Sequence, residues 1–102
     1  MTTDTCIRKI IETAFCLVES GWTQGDFRRV RDGRMCYCAV GAIYEASKRW
    51  QPNKYNDTLR AVERCVPSTY KSCTANRVID FNDDPQTTKE DVLNLFKKAL
   101  TE

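Results

Sequence analysis

One helical stretch with small side chains constrains this chain more than any other feature. It reads Cys-Tyr-Cys-Ala-Val-Gly-Ala-Ile-Tyr-Glu-Ala over residues 36–46, and its helical apolar spacing continues to Trp50. A glycine inside a helix costs about 1 kcal/mol relative to alanine, so Gly41 indicates that another backbone must come close. We therefore predict tight helix packing at Cys38, Gly41 and Ala42, against the first and last helices of the domain.

Three further segments have the apolar spacing of amphipathic helices. The first runs from about Thr3 to Ser20, and another runs from about Asn56 to Val66. The last begins at overlapping capping boxes in residues 87–91 and continues to Leu100. Residues 77–81 alternate in part between apolar and polar, which favours an extended segment too short to predict as a strand.

These segments predict a mainly all-α protein. A chain of 102 residues has room for one hydrophobic core, so residues 1–102 are expected to form a single domain. We predict a compact bundle of about four helices. A short β-hairpin after the first helix is an optional addition to that bundle.

The loop between the first and second helices carries the hairpin signal. Asp32-Gly33 is a typical two-residue turn and is flanked by Val30 and Met35. An isolated hairpin over residues 27–37 is marginal, so it must lean on the helices. We expect Trp22 to anchor this loop on the core and to need a partner for its indole N–H.

The same loop is rich in arginine and aromatic side chains. This mixture is typical of single-stranded nucleic-acid binding, where phosphates attract the cations and bases stack on the rings. The alternative is that the arginines solvate an irregular loop, because a net charge of +2 is too balanced to indicate nucleic acid. The expected contact residues for a nucleic acid or a protein partner are Trp22, Phe27, Arg28, Arg29, Arg31 and Arg34.

Six cysteines and no histidine restrict the chemistry of metal sites and catalysis. The spacing lacks the Cys-x-x-Cys pairs of zinc sites, so we predict no metal and no cofactor. Cys38 has no histidine to activate it as a nucleophile, and we expect no enzyme activity. A metal- or small-ligand-binding domain stays as a further alternative. Its only sensible metal ligands are Cys36, Cys38, Cys65 and Cys73.

The compartment follows from what the sequence lacks. No apolar run approaches the roughly 20 residues that span a bilayer, so no membrane association is expected. The first residues lack a basic region followed by an apolar block, which is the pattern of a secretory signal. We therefore expect a cytoplasmic protein.

Two patches of the sequence resemble a known family. The matching residues are the Cys-Ala-Val-Gly-Ala-Ile run at 38–43, Phe-Asn-Asp at 81–83, Thr-Lys-Glu-Asp-Val-Leu at 88–93, and Trp22 with Gly25 upstream. Over about residues 7–100 the chain resembles a family of small uncharacterised domains of unknown function from actinobacteria and their tailed phages. The resemblance implies a compact helical domain with no established activity. The chain differs from that pattern in its extra cysteines and in Phe81, where a tryptophan is expected.

The Asn82-Asp83 pair has two interpretations. It could bind a ligand through its amide and carboxylate, or it could hold a turn by bonding backbone N–H groups, which is the commoner arrangement.

The small size, the lack of catalytic chemistry and the family resemblance together suggest a function. We predict a small phage-encoded protein that binds a bacterial host protein and modulates a host process or defence.

Overall fold

A computed structural model describes residues 4–68, 70 and 76–101 of the chain. Within these ranges the chain forms five α-helices and one two-stranded hairpin, which confirms the mainly helical class and the hairpin after the first helix. The elements are α1 (Thr5–Ser20), β1 (Arg28–Arg31), β2 (Arg34–Tyr37), α2 (Ala39–Trp50), α3 (Tyr55–Glu63), α4 (Arg77–Asp83) and α5 (Lys89–Thr101). A 3₁₀ turn at Pro52–Lys54 joins α2 to α3. None of the described helices has the length and apolar content to cross a membrane.

The prediction of about four helices is wrong by one, because residues 77–81 are helical rather than extended. The Asn76 side chain caps α4 by accepting a hydrogen bond from the Ile79 N–H at 3.0 Å. Val78 and Asn82, four residues apart on one face of this helix, are both fully buried. Partial alternation over five residues did not distinguish the two-residue period of a strand from the 3.6-residue period of a helix. Burial of this one face favours the helix.

The helices α1 and α5 begin where the sequence places capping side chains, whereas α3 begins without a side-chain cap. Asp4 caps α1 by accepting hydrogen bonds from the N–H groups of Cys6 and Ile7, at 2.8 and 3.1 Å. At α5 the predicted capping box of Thr88 and Asp91 is confirmed, since each side chain accepts a hydrogen bond from the backbone N–H of the other. These caps satisfy N–H groups that the helices themselves leave unpaired.

The hydrophobic core surrounds α1. This helix makes the two largest helix–helix interfaces of the described chain, one with α2 and one with α5. The largest fully buried apolar side chains of these three helices are Ile10, Ile11, Ile43 and Phe96. Burying each of them contributes roughly 1.5–3 kcal/mol, so this three-helix core gives the rest of the molecule a rigid support.

The hairpin leans on the end of α1, as its small size requires. The Tyr37 N–H donates to the Gly21 carbonyl at 2.9 Å, and the Thr23 N–H donates to the Tyr37 carbonyl at 3.1 Å. The turn is the predicted Asp32-Gly33 pair, with φ values of 50° and 75°. Two positive φ angles are the signature of a type I′ turn, which matches the twist of a two-residue hairpin.

Candidate functional site

The loop before the hairpin is fixed to α4 by side-chain hydrogen bonds. The Trp22 indole N–H donates to the Asn82 side-chain oxygen at 2.7 Å, which supplies the partner that the sequence requires. The Gln24 amide donates to the backbone carbonyls of Asn82 and Asp84, both at 2.9 Å. The Gly25 N–H donates to the Asp83 carboxylate at 3.0 Å. This loop therefore has a defined position beside the N-terminus of α2.

Asn82 is fully buried, and contacts within the chain use both ends of its amide. Its oxygen accepts hydrogen bonds from the Trp22 indole and from the Ala39 N–H at 3.0 Å, in the first turn of α2. Its NH₂ group donates to the Thr23 carbonyl at 3.1 Å and to the Asp83 carboxylate at 2.9 Å. Asn82 and Asp83 lie in the last turn of α4 and hold the loop against α2, and these contacts leave no free donor on the amide for a ligand.

Gly41 explains the small side chains of α2. A Cβ atom at Gly41 would lie 1.9 Å from the Phe27 carbonyl oxygen, so only glycine admits the loop backbone at this point. The same carbonyl accepts a hydrogen bond from the Cys38 N–H at 3.1 Å. Gly41 was predicted to pack against the first and last helices, but the backbone that approaches it belongs to the arginine-rich loop, whereas Ala42 is buried in the helical core.

Cys38 is the N-cap of α2 rather than a reactive thiol. Its sulfur accepts a hydrogen bond from the Gly41 N–H at 3.2 Å. Burial raises the pKa of the Cys38 thiol above its ordinary value, and the N–H groups that favour the thiolate offset only part of this effect. The thiol is therefore protonated at neutral pH.

An open groove lies between the loop, the hairpin, one side of α2 and the start of α3. Its volume is about 490 Å³, within the range of ligand-binding clefts. We call it the aromatic groove. It is lined by the apolar residues Phe27, Tyr37, Val40, Gly41, Tyr44 and Tyr55 and by the charged residues Arg28, Glu45 and Lys48.

The aromatic groove has exposed rings at its rim and buried groups at its base. Phe27 is 59% exposed and Tyr44 is 55% exposed, and large apolar side chains exposed side by side often mark a binding surface. Tyr44 packs edge-on against Tyr55, with ring centroids 5.7 Å apart. Burial raises the pKa of the Tyr55 hydroxyl above its ordinary value, which favours the neutral form that can donate a hydrogen bond.

The pleat of the hairpin divides its side chains into two faces. Arg28 pairs with Tyr37 and Val30 pairs with Met35, so these four residues share one face, which continues from the aromatic groove. We call it the apolar hairpin face. On it Val30 is 61% exposed, although it is a purely aliphatic side chain.

The opposite side of the hairpin is the arginine face. It carries Arg29, Arg31, Arg34 and Cys36, because Arg29 pairs with Cys36 and Arg31 pairs with Arg34. Arg29 forms an exposed ion pair with Asp26, and the Arg34 guanidinium donates to the Ser20 carbonyl at 3.2 Å. Within the described residues no acidic side chain pairs with Arg28 or Arg31. Arg31 and Arg34 lie directly opposite each other in the hairpin register, and like charges at such positions destabilise a strand pair.

The candidate cysteine ligands do not form a metal site within the described residues. No group of three or more histidine, cysteine, aspartate or glutamate side chains is close enough there to hold an ion. Cys36 lies near Gly21, and Cys38 caps α2. The Cys65 thiol, just after the end of α3, donates to the Ala61 carbonyl at 3.6 Å. Cys73, the fourth candidate, lies outside the described residues.

The aromatic groove contains two of the six predicted contact residues and several residues that the sequence did not reveal. Phe27 and Arg28 line the aromatic groove, whereas Trp22 lies behind the loop as its anchor. The sequence did not predict Tyr44 and Tyr55 as site residues. Tyr55 fits the apolar spacing of a core residue. Tyr44, a large aromatic residue on the charged arc of α2 beside Glu45, was the sequence feature that could have indicated an exposed binding surface.

The comparisons with known proteins identify a family of unknown function. The model of a family of unknown function, DUF6197, matches residues 1–102, and the chain belongs to this family. No curated protein matches the chain. No solved structure matches it either.

Proposed function

We propose that this member of an uncharacterised family binds a segment of another protein at the aromatic groove. The segment places a large apolar side chain in the groove and acidic side chains beside the arginines of the hairpin. One observation carries the proposal: an exposed aromatic groove continues onto a hairpin that has apolar side chains on one face and unpaired arginines.

The extent of the apolar surface supports a protein partner over a small molecule. The groove alone has the size of a small-molecule site, but the apolar surface continues beyond it to Val30 and Met35, which are 61% and 37% exposed. Large exposed apolar patches with polar rims are typical of protein-binding surfaces. An elongated peptide segment covers such a strip, whereas a compact ligand covers only the groove.

The charge at the rim supports an acidic partner. Arg28 lies at the edge of the groove and Arg31 lies on the opposite face of the hairpin, and both are exposed. Glu45 lines the groove too, but it lies within 3.7 Å of Lys48 and 3.6 Å of Arg49. Arg31 and Arg34 lie opposite each other in the hairpin register, so a partner carboxylate would offset their like charges and gain charge-assisted hydrogen bonds.

Nucleic-acid binding is less well supported by this geometry. Stacking platforms place aromatic rings and basic side chains along one track, so that bases and phosphates are bound together. Here the pleat separates Arg29, Arg31 and Arg34 from the aromatic groove on the other side of the hairpin. Trp22, the largest ring of the loop, uses its N–H to bond Asn82 and serves as an anchor.

The identity of the partner stays a prediction. The resemblance to phage and actinobacterial domains suggests a phage-encoded protein in the host cytoplasm and a bacterial host protein as its partner. Modulation of a host process or defence by occupying a protein surface needs no catalysis. We accordingly propose a binding protein that is not an enzyme.

The test compares two aromatic residues of α2 with similar exposure. Tyr44 is 55% exposed at the aromatic groove, and Trp50 is 51% exposed at the other end of the helix. A protein captured from a bacterial lysate by the wild-type chain is identified, purified and titrated against both variants. We expect Tyr44→Ala to weaken its binding at least about tenfold, as for an interface hot spot, and Trp50→Ala to have little effect.

The site of contact is checked on the same partner. Cross-linking followed by mass spectrometry should join an acidic segment of the partner to the groove or the hairpin. A partner that binds Tyr44→Ala and Phe27→Ala as tightly as the wild-type chain would overturn the proposal. So would cross-links confined to the opposite side of the helical core.

A further inference from the structure

The hairpin has an open backbone edge. β1 pairs with β2 on one side, and within the described residues no strand or loop pairs with β1 on its other side. All four residues of β1 are exposed, whereas Tyr37 of β2 bonds to residues 21–23 at its own outer edge. An open strand edge presents unpaired N–H and C=O groups that can pair with another chain.

The register shows which backbone groups point outward. Residues of an antiparallel pair alternate between hydrogen-bonded and non-bonded positions. Arg31 and Arg34 flank the two-residue turn as a bonded pair, and the Phe27 carbonyl accepts from the Cys38 N–H at the other end of the ladder. Counted from either end of the ladder, Arg29 and Arg31 are at hydrogen-bonded positions and Arg28 and Val30 are at non-bonded positions. The N–H and C=O groups of Arg28 and Val30 therefore point away from β2.

We propose that the partner segment binds as a third strand along the free edge of β1. This inference rests on the proposed function, since it specifies how the protein partner is held. The main chain of the segment pairs with the outward N–H and C=O groups of Arg28 and Val30. Such strand addition takes affinity from the backbone and specificity from alternate side chains.

The two faces of the hairpin determine the sequence of the segment. Successive side chains of an added strand point to opposite faces of the sheet. One set contacts the apolar hairpin face at Val30 and extends toward the aromatic groove. The other set contacts Arg29 and Arg31 on the arginine face. The fitting segment therefore alternates apolar and acidic residues over about four to six positions.

Charge argues against a second copy of this chain as the occupant. The edge strand reads Arg-Arg-Val-Arg over residues 28–31, so pairing two such edges would bring arginines close together. Like charges opposite one another destabilise a strand pair, and charged edges commonly prevent self-association. The same arginines attract an acidic strand.

The experiment uses a synthetic peptide and the full chain. The probe is a fluorescent, end-capped octapeptide in which glutamate alternates with valine, and the control peptide has the same residues in two blocks. Binding is measured by anisotropy at physiological salt. We expect the alternating peptide to bind at least ten times more tightly, and we expect the protein to remain monomeric in sedimentation. Equal binding of the two peptides, or dimers that form through β1 without peptide, would overturn the proposal.

Methylation of the peptide backbone tests the hydrogen bonds directly. Two versions of the alternating peptide carry N-methyl groups on one or the other alternate set of amides. We expect one version to lose binding at least tenfold and the other to keep it, because only one set of amides faces β1. Equal behaviour of the two versions would overturn strand addition.

Two protein variants complete the test. Val30→Pro removes one outward N–H without breaking a bond to β2, and Val30→Thr keeps the N–H and the β-branched shape. Val30→Thr loses only part of the apolar contact, so we expect Val30→Pro to weaken peptide binding at least ten times more than Val30→Thr does. Should Val30→Pro unfold, the methylated peptides decide the question with the wild-type chain. If Tyr44→Ala weakens binding of the captured partner while the two N-methylated peptides bind equally, the protein-binding function stands and strand addition is wrong.

Discussion

The Trp22 indole and the Asn82 side chain meet at 2.7 Å across 60 residues of sequence, and this contact fixes the loop that forms the aromatic groove. Asn82 also accepts from the first N–H of α2 and donates to the Thr23 carbonyl. One buried side chain therefore sets the positions of the loop, α2 and α4 relative to one another. Because an unsatisfied buried polar group is costly, the arrangement has few alternatives.

Replacing Asn82 with alanine should destabilise the whole domain. Asn82→Ala leaves the Trp22 and Ala39 N–H groups without their acceptor in a fully buried position. We expect a loss of roughly 3 kcal/mol in the free energy of unfolding, measured by urea denaturation. Asn94→Ala, at an exposed position of α5, is the matched control and should change stability by less than about 0.5 kcal/mol. A small effect of Asn82→Ala would show that water replaces its bonds.

A double-mutant cycle measures the Trp22–Asn82 contact itself. Trp22→Phe keeps an aromatic ring but removes the indole N–H, and we expect a loss of about 2 kcal/mol in unfolding free energy. Because both changes remove the same bond, the double variant should lose less than the sum, by about 1 kcal/mol. Additive losses would mean that the bond contributes nothing and that packing of the ring accounts for the effect of Trp22→Phe.

The sequence was informative where structure depends on neighbours along the chain. Periodicity indicated the helices around residues 5–20, 39–50 and 89–101, and the Asp32-Gly33 pair indicated the hairpin. The need of Trp22 for a hydrogen-bond partner followed from its chemistry. Its partner did not, because no local pattern links position 22 to a helix 60 residues away.

The groove depends on contacts that a single sequence does not reveal. Gly41 indicated a close approach, but only the folded chain shows that the approaching group is the Phe27 carbonyl. Residues 77–81 fitted an extended segment in part, and the burial of Val78 and Asn82 on one face makes them helical. Tyr44 and Tyr55 belong to different helices, so their edge-on contact is a tertiary feature.

Thiol labelling should separate exposed from buried cysteines. Cys16 is exposed on α1, whereas Cys38 is buried and burial raises the pKa of its thiol. We expect the native protein to react with N-ethylmaleimide at Cys16 at least roughly 100-fold faster than at Cys38, as mapped by mass spectrometry of peptides. In urea both should react at similar rates. Equal rates in the native state would show that the N-terminus of α2 opens readily.

The start of α1 should respond to acid through Asp4. Lys54 lies 3.0 Å from the Asp4 carboxylate, and its hydrogen bond, with those from the Ile7 and Cys6 N–H groups, lowers the pKa of Asp4. A lowered pKa in the folded state stabilises the protein above the ordinary value near 3.8, and this contribution is lost as the pH falls through the folded pKa. The wild-type Tm should therefore decrease on acidification below about pH 4.

The Asp4→Asn variant isolates that effect. Asparagine also caps helices but carries no charge, so the variant should have a lower Tm than the wild type at pH 7. The two Tm values should converge once the pH falls below the lowered pKa of Asp4, since the wild-type carboxyl is then protonated. Lys54→Ala tests the partner, because loss of the ammonium should reduce the same pH-dependent difference. A constant gap between wild type and Asp4→Asn from neutral to strongly acidic pH would contradict this account.

The Gly41→Ala substitution should displace the loop from α2. Alanine favours a helix by about 1 kcal/mol over glycine, so the change would be stabilising if the helix alone mattered. Its Cβ, however, would lie 1.9 Å from the Phe27 carbonyl oxygen, a backbone atom that moves only with the loop. We expect a net loss of roughly 2 kcal/mol in unfolding free energy and weaker binding at the aromatic groove.

Gly33→Ala is the control that separates this clash from a general effect of replacing glycine. Gly33 has a φ of 75°, and apart from its two chain neighbours no residue has a heavy atom within 4 Å of the position that a Cβ would occupy there. The cost of Gly33→Ala is therefore only that of the positive φ, about 1–2 kcal/mol. That variant should keep Phe27 in place, whereas Gly41→Ala should shift the Phe27 and Tyr44 resonances in NMR spectra. If Gly41→Ala stabilises the protein and leaves those resonances unchanged, the loop is not held against α2, and the aromatic groove does not form as described.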